Sequence, residues 1–113
     1  MKTLTSVILL AMSLPSSAGS PDDDFSVAFD RHKGRVNSLY LRALKDDPRL
    51  AGKIVYDIDI AMSGQVTGCR VRSSAMRAPQ LEAKICEVIL QMKIPAQSGN
   101  VTITKPLEFH PLS

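Results

Sequence analysis

The sequence predicts an α+β domain of order α-β-β-α-β, a three-stranded antiparallel sheet with two helices packed on one face. Three observations predict it. Residues 52–74 alternate as a β-hairpin does. Apolar residues at three- and four-residue spacing flank that hairpin on both sides. A second alternating run, interrupted by a proline, closes the chain.

Ahead of the first element, Lys2 forms a short positive region and residues 7–14 (VILLAMSL) an apolar run. Ser16-Ser17-Ala18 is a small-residue cleavage site. The expectation is a signal peptide over 1–18, cleaved before Gly19, and export to the periplasm. The apolar run stops at Pro15, well short of the roughly 20 residues a membrane span needs, so no span is expected after cleavage. The residue directly after the cleavage site is Gly19 and not cysteine, which gives no sign of a lipid anchor. Residues 19–24 (GSPDDD) are expected to be a flexible lead-in whose three aspartates favour a helix start. Residues 25–113 form the domain. Cleavage leaves 95 residues with a formal charge of +2, Lys2 being the one charge removed, which suffices for one small domain.

The first helix is expected within Phe25 to Lys45, where Val36, Leu39, Tyr40, Ala43 and Leu44 share a face. Gly34 predicts fraying or a break in its first half. Asp46-Asp47-Pro48 ends the helix, and Gly52 opens a strand. Along that strand Ile54, Tyr56, Ile58 and Ile60 alternate with Lys53, Val55, Asp57 and Asp59. Ser63-Gly64 supplies the turn and Val66 to Ser74 the return. A turn centred there sets Ile58 opposite Cys69, Tyr56 opposite Val71 and Asp57 opposite Arg70. Apolar then meets apolar on one face and opposite charges meet on the other. After a loop over Ser74 to Ala78, Pro79 suits a first helical turn. Leu81, Ile85, Val88, Ile89 and Met92 then make a second amphipathic helix, which Pro95 closes. Ala96 to Asn100 is a polar turn. Val101, Ile103, Leu107 and Phe109 alternate around an interruption at Lys105-Pro106, and a proline without an amide donor predicts an edge strand.

Cys69 and Cys86 lie on the buried face of the second strand and the flank of the second helix. In an oxidising compartment such residues tend to pair, so a structural disulfide is the leading reading. Two free buried thiols, or redox or metal chemistry, are the alternatives. His32 and His110 stand alone, without the three or four ligands of a metal site, and no metal or other cofactor is expected. Asp22-Asp23-Asp24 lacks the calcium-loop pattern. No nucleophile elbow surrounds Ser73 and Ser74, which are expected to end the strand and cap the loop. Asp57 and Asp59 are expected to pair with Arg70 and Arg72 across the hairpin, and Gly64 and Gly68 are expected hairpin glycines. No enzyme is predicted. Basic residues gather at Arg31, Lys33, Arg35, Arg42, Lys45, Arg49 and Lys53. That run reads as a solvated helix face, with attraction to an acidic partner as the alternative. With so few aromatics to stack on bases, nucleic acid is not an expected partner.

The segments GRVNSLYLRALKDDPRLAGKIVYDIDI, SGQVTGCRVRSS, APQLEAKICEVILQMKIPA and ITKPLEFHP resemble the TonB C-terminal domain family, especially its AgmX/PglI C-terminal branch. The Pro-x-x-x-Gly step after the first helix, the Ser-Gly hairpin, the paired serines and the final Pro-x-x-Phe-x-Pro carry the resemblance together. A full TonB-like protein also has an inner-membrane anchor and a long Pro-rich spacer, and neither pattern is found here. The expectation is therefore a free periplasmic relative, not an energy transducer. The resemblance implies a binding module that receives an extended segment of an envelope protein by strand addition, in envelope transport or motility. Its docking edge would be Val101, Thr102, Ile103, Thr104 and Lys105. The strand edges also allow a homodimer. The runner-up is a small exported inhibitor or envelope-binding protein that uses the basic helix.

Overall fold

The computed structural model of the protein describes residues 20–111. The expected signal peptide, 1–18, lies outside the described residues. The elements run α1 (Pro21–Asp46), β1 (Gly52–Ile60), β2 (Val66–Ser74), α2 (Pro79–Leu90) and β3 (Val101–Phe109). The sheet is antiparallel in the order β2-β1-β3. This is the α-β-β-α-β fold expected from the sequence, with β1 in the centre.

Two expectations about α1 change. The helix begins at Pro21, so the polar stretch over residues 20–24 is its cap and first turn, not a lead-in. Ser20 accepts a hydrogen bond from the Asp23 amide at 3.2 Å, and Pro21 needs no amide partner there. Asp22, Asp23 and Asp24 then sit at the positive end of the helix dipole. Gly34 does not break the helix either. Its cost of about 1 kcal/mol relative to alanine falls between two packed stretches, Phe25 and Ala28 before it and Val36 and Tyr40 after it. A Cβ built at Gly34 would meet nothing within 4 Å, so close packing does not require glycine there.

Ile54, Tyr56, Ile58 and Ile60 of β1 are fully buried and form the centre of the core. The inward faces of both helices close over them, through Phe25, Val36 and Tyr40 on one and Leu81, Ile85, Val88 and Ile89 on the other. α2 packs beneath β2 and α1 beneath β3. Burying a large aliphatic side chain contributes roughly 1.5–3 kcal/mol, so this isoleucine row accounts for much of the driving force. The hairpin register is the expected one: Ile58 faces Cys69, Tyr56 faces Val71 and Asp57 faces Arg70. Gly64 carries φ of +94°, and a Cβ there would lie 1.9 Å from the Ile94 carbonyl oxygen. The Ile94 amide donates to the Gly64 carbonyl at 2.9 Å, which ties the connection after α2 to the hairpin turn. Glycine is required at this turn by both its backbone angle and its contact.

Cys69 and Cys86 form a disulfide between β2 and α2. The Ser74 hydroxyl accepts from the Met76 and Arg77 amides, both at 3.2 Å, and donates to the Glu82 carboxylate at 2.7 Å. Ser74 thus caps the loop as expected. Glu82 was not legible in the sequence. This buried acid also accepts the Ala78 amide at 2.8 Å, and so satisfies the start of α2 from within. The network holds Arg77 at its φ of +53°. Tyr56 donates to the Glu82 carbonyl, and burial pushes its phenol far above the usual value.

Candidate functional site

The direction of each backbone group on the sheet follows from two bonds at the hairpin. The Lys53 carbonyl accepts from Ala75, and the Ala61 amide donates to Gln65, both at 2.9 Å and both on the β2 side. Backbone groups alternate along a strand, so odd-numbered residues of β1 bond β2 and even-numbered ones bond β3. Ile54, Tyr56, Ile58 and Ile60 pair with Leu107, Lys105, Ile103 and Val101. The residues between those on β3, namely Thr102, Thr104, Pro106 and Glu108, therefore turn their backbone groups outward. Pro106 lies opposite Val55 and sacrifices no ladder bond, which is why β3 continues through it without the expected interruption.

The two outer edges differ. β2 carries two register shifts against β1, with Thr67 and Arg72 as the extra residues. Such bulges bend and twist a strand, and they are a recurrent way of blunting an edge. β3 pairs with β1 over nine consecutive residues with no shift. Among the described residues no fourth strand joins the sheet, so the outward amides of Thr102 and Thr104 have no strand partner. Lys105 points to the helix side, where its Nζ lies 3.6 Å from Asp22 and 3.3 Å from the Ser26 hydroxyl. A groove of about 230 Å³ follows there, lined by Phe25, Phe29, Pro106 and Leu107 among others.

On the face away from the helices, two polar rungs cross all three strands. Arg70 donates to both oxygens of Asp59 at 2.6 and 3.1 Å, and the Thr102 hydroxyl lies 2.7 Å from the same carboxylate. Arg72 approaches Asp57 at 3.3 Å, and the Thr104 hydroxyl lies 2.7 Å from it. These bonds lower both acids. The Arg70 bond, then the Thr102 bond, hold Asp59 at about 2. The Thr104 bond, then Arg72, lower Asp57. The pairing is diagonal, since Arg70 stands opposite Asp57 yet reaches Asp59. Gly68 makes this possible. It faces Asp59, and a Cβ there would lie 2.4 Å from the carboxylate oxygen.

Of the expected site residues, Val101, Thr102, Ile103, Thr104 and Lys105 all lie on the open edge strand. Ile103 is buried in the core, Val101 and Lys105 are half-buried, and Thr102 and Thr104 are exposed. The basic residues fall elsewhere. Arg35, Arg42 and Lys84 border a groove of about 370 Å³ between α1 and α2, floored by Leu39 and Val88 and also edged by Glu87. Among the described residues no three His, Cys, Asp or Glu side chains gather as a metal site would need. No helix among them is long and apolar enough to cross a membrane. No family model, curated protein or solved structure matches the chain.

Proposed function

We propose that the protein is a non-enzymatic periplasmic interaction module that binds an extended segment of an envelope protein by strand addition, as the TonB C-terminal domains it resembles do. An unpaired strand offers backbone donors and acceptors at the spacing a further strand needs. The observation that carries the reading is the asymmetry of the edges. β2 is bulged twice, whereas β3 is regular for nine pairs and presents Thr102 and Thr104 outward. The resemblance supports the same edge, and envelope transport or motility is the setting it implies.

Affinity capture from an envelope extract tests this. Thr102→Pro and Thr104→Pro each remove one outward amide and should lose the partner while the domain stays folded. Thr102→Val and Thr104→Val keep the amides and control for the hydroxyls. Charge reversals Arg35→Glu and Arg42→Glu, in the groove between the helices, should change capture little. If those reversals abolish salt-sensitive capture and neither proline does, the basic groove takes the place of the strand edge.

A further inference from the structure

The proposed docking edge has a hydrogen-bond polarity fixed by the residues behind it. At neutral pH Asp57 and Asp59 are carboxylates, which accept hydrogen bonds and cannot donate them. The 2.7 Å contacts with Thr104 and Thr102 therefore use the single proton of each threonine hydroxyl. What remains on each hydroxyl oxygen is acceptor capacity. The guanidinium groups that donate to the same carboxylates come from β2, on the far side of β1 from the edge. A strand laid against β3 thus meets hydroxyl acceptors first and carboxylates behind them.

Resting on the strand-addition reading, we infer that the partner segment carries hydrogen-bond donors, and not carboxylates, on the side chains paired with Thr102 and Thr104. An added strand lies about 4.8 Å away, with paired side chains on the same face. Ser, Thr, Asn or Gln at those two positions can donate to the threonine oxygens. Asp or Glu has no proton to give, and it would add negative charge beside Asp57 and Asp59. The intervening side chains of the segment point to the helix side, where they pair with the half-buried Val101 and the buried Ile103, so apolar residues fit there. The partner is then an alternating segment, with neutral donors on one face and apolar residues on the other.

Synthetic peptides with valine at the helix-side positions and Thr, Asn, Val or Asp at the open-face positions test the inference. Binding is read by affinity and by hydrogen exchange at the Thr102 and Thr104 amides. The Thr and Asn peptides should protect both amides and bind about fivefold or more tighter than the Asp peptide, as two neutral hydrogen bonds allow. In the Thr102→Val/Thr104→Val protein the Thr and Asn peptides should lose their advantage over the Val peptide. Protection without a preference for donors, or with a preference for Asp, overturns the inferred polarity and leaves strand addition standing. Failure of every peptide to protect either amide overturns strand addition and the polarity with it.

Discussion

β2 and β3 flank the same central strand, yet they are built to different specifications. β2 is bulged at Thr67 and Arg72, carries the exposed guanidinium groups of Arg70 and Arg72, and is stapled to α2 through Cys69–Cys86. β3 pairs without a register shift, carries the neutral side chains of Thr102 and Thr104 on the open face, and is restrained at its far half by Lys105 reaching Asp22. Exposed edges invite unwanted strands, and proteins usually blunt both of them. Here one edge is blunted several times over and the other only by Pro106 and a lysine that faces the helix. Of the two edges, β3 is therefore the one left open to a further strand.

The same substitution on each edge gives the largest contrast. By the alternation argued above, Val71 of β2 also turns its amide outward, so Val71→Pro removes an equivalent donor from the other edge. Thr104→Pro should abolish partner capture, and Val71→Pro should leave it intact, with circular dichroism confirming that both variants fold. Equal loss from both would show that the edges are not distinguished.

Removing the staple comes next. The disulfide closes a loop with a sequence separation of 17, for which chain entropy gives about 3 kcal/mol. Cys69→Ala/Cys86→Ala should lower Tm by several degrees or more without abolishing the fold, and non-reducing peptide mapping should recover the pair from the native protein. Capture at β3 should survive wherever the variant is folded.

Gly68→Ala should cost less, about 1 kcal/mol, typical of a single strained site. The new Cβ would displace the Asp59 carboxylate, so the Asp59 value should rise from about 2 toward the usual carboxylate range in an NMR titration.

The smallest effect concerns acid. Both Asp57 and Asp59 are depressed in the folded state, so the unfolded chain takes up protons first as pH falls. Their contribution is complete above the unfolded carboxylate value of about 3.9 and is lost as pH falls from there through about 2 for Asp59. Tm of Asp59→Asn should therefore fall less steeply than that of the unaltered protein across that window. Identical slopes would mean the Asp59 rung contributes nothing.

How much of this was legible in the sequence depends on the range of each contact. The hairpin was readable because alternation and turn fix its register locally, down to Ile58 opposite Cys69 and Asp57 opposite Arg70. The edge position of β3 was readable from Pro106, whose missing amide excludes a central place. The start of α1 was not, because a polar GSPDDD stretch reads equally as a tail or as a cap with an acidic first turn. The rungs were only half legible. Asp and Arg could be matched across the hairpin, but the diagonal depends on the space at Gly68. The bonds from Thr102 and Thr104 require β3 to lie beside β1, 43 and 47 residues away in the chain. Glu82 carries no signal in the sequence, because its burial depends on the Ser74 loop closing over it.

Hydrogen exchange of the intact protein with its captured partner bound tests the central claim most directly. The outward amides of Thr102 and Thr104 should slow strongly on binding, while those of Cys69 and Val71 on the opposite edge should keep their free-state rates. Protection confined to β2, or a bound partner that leaves Thr102 and Thr104 exchanging as before, would contradict strand addition at β3.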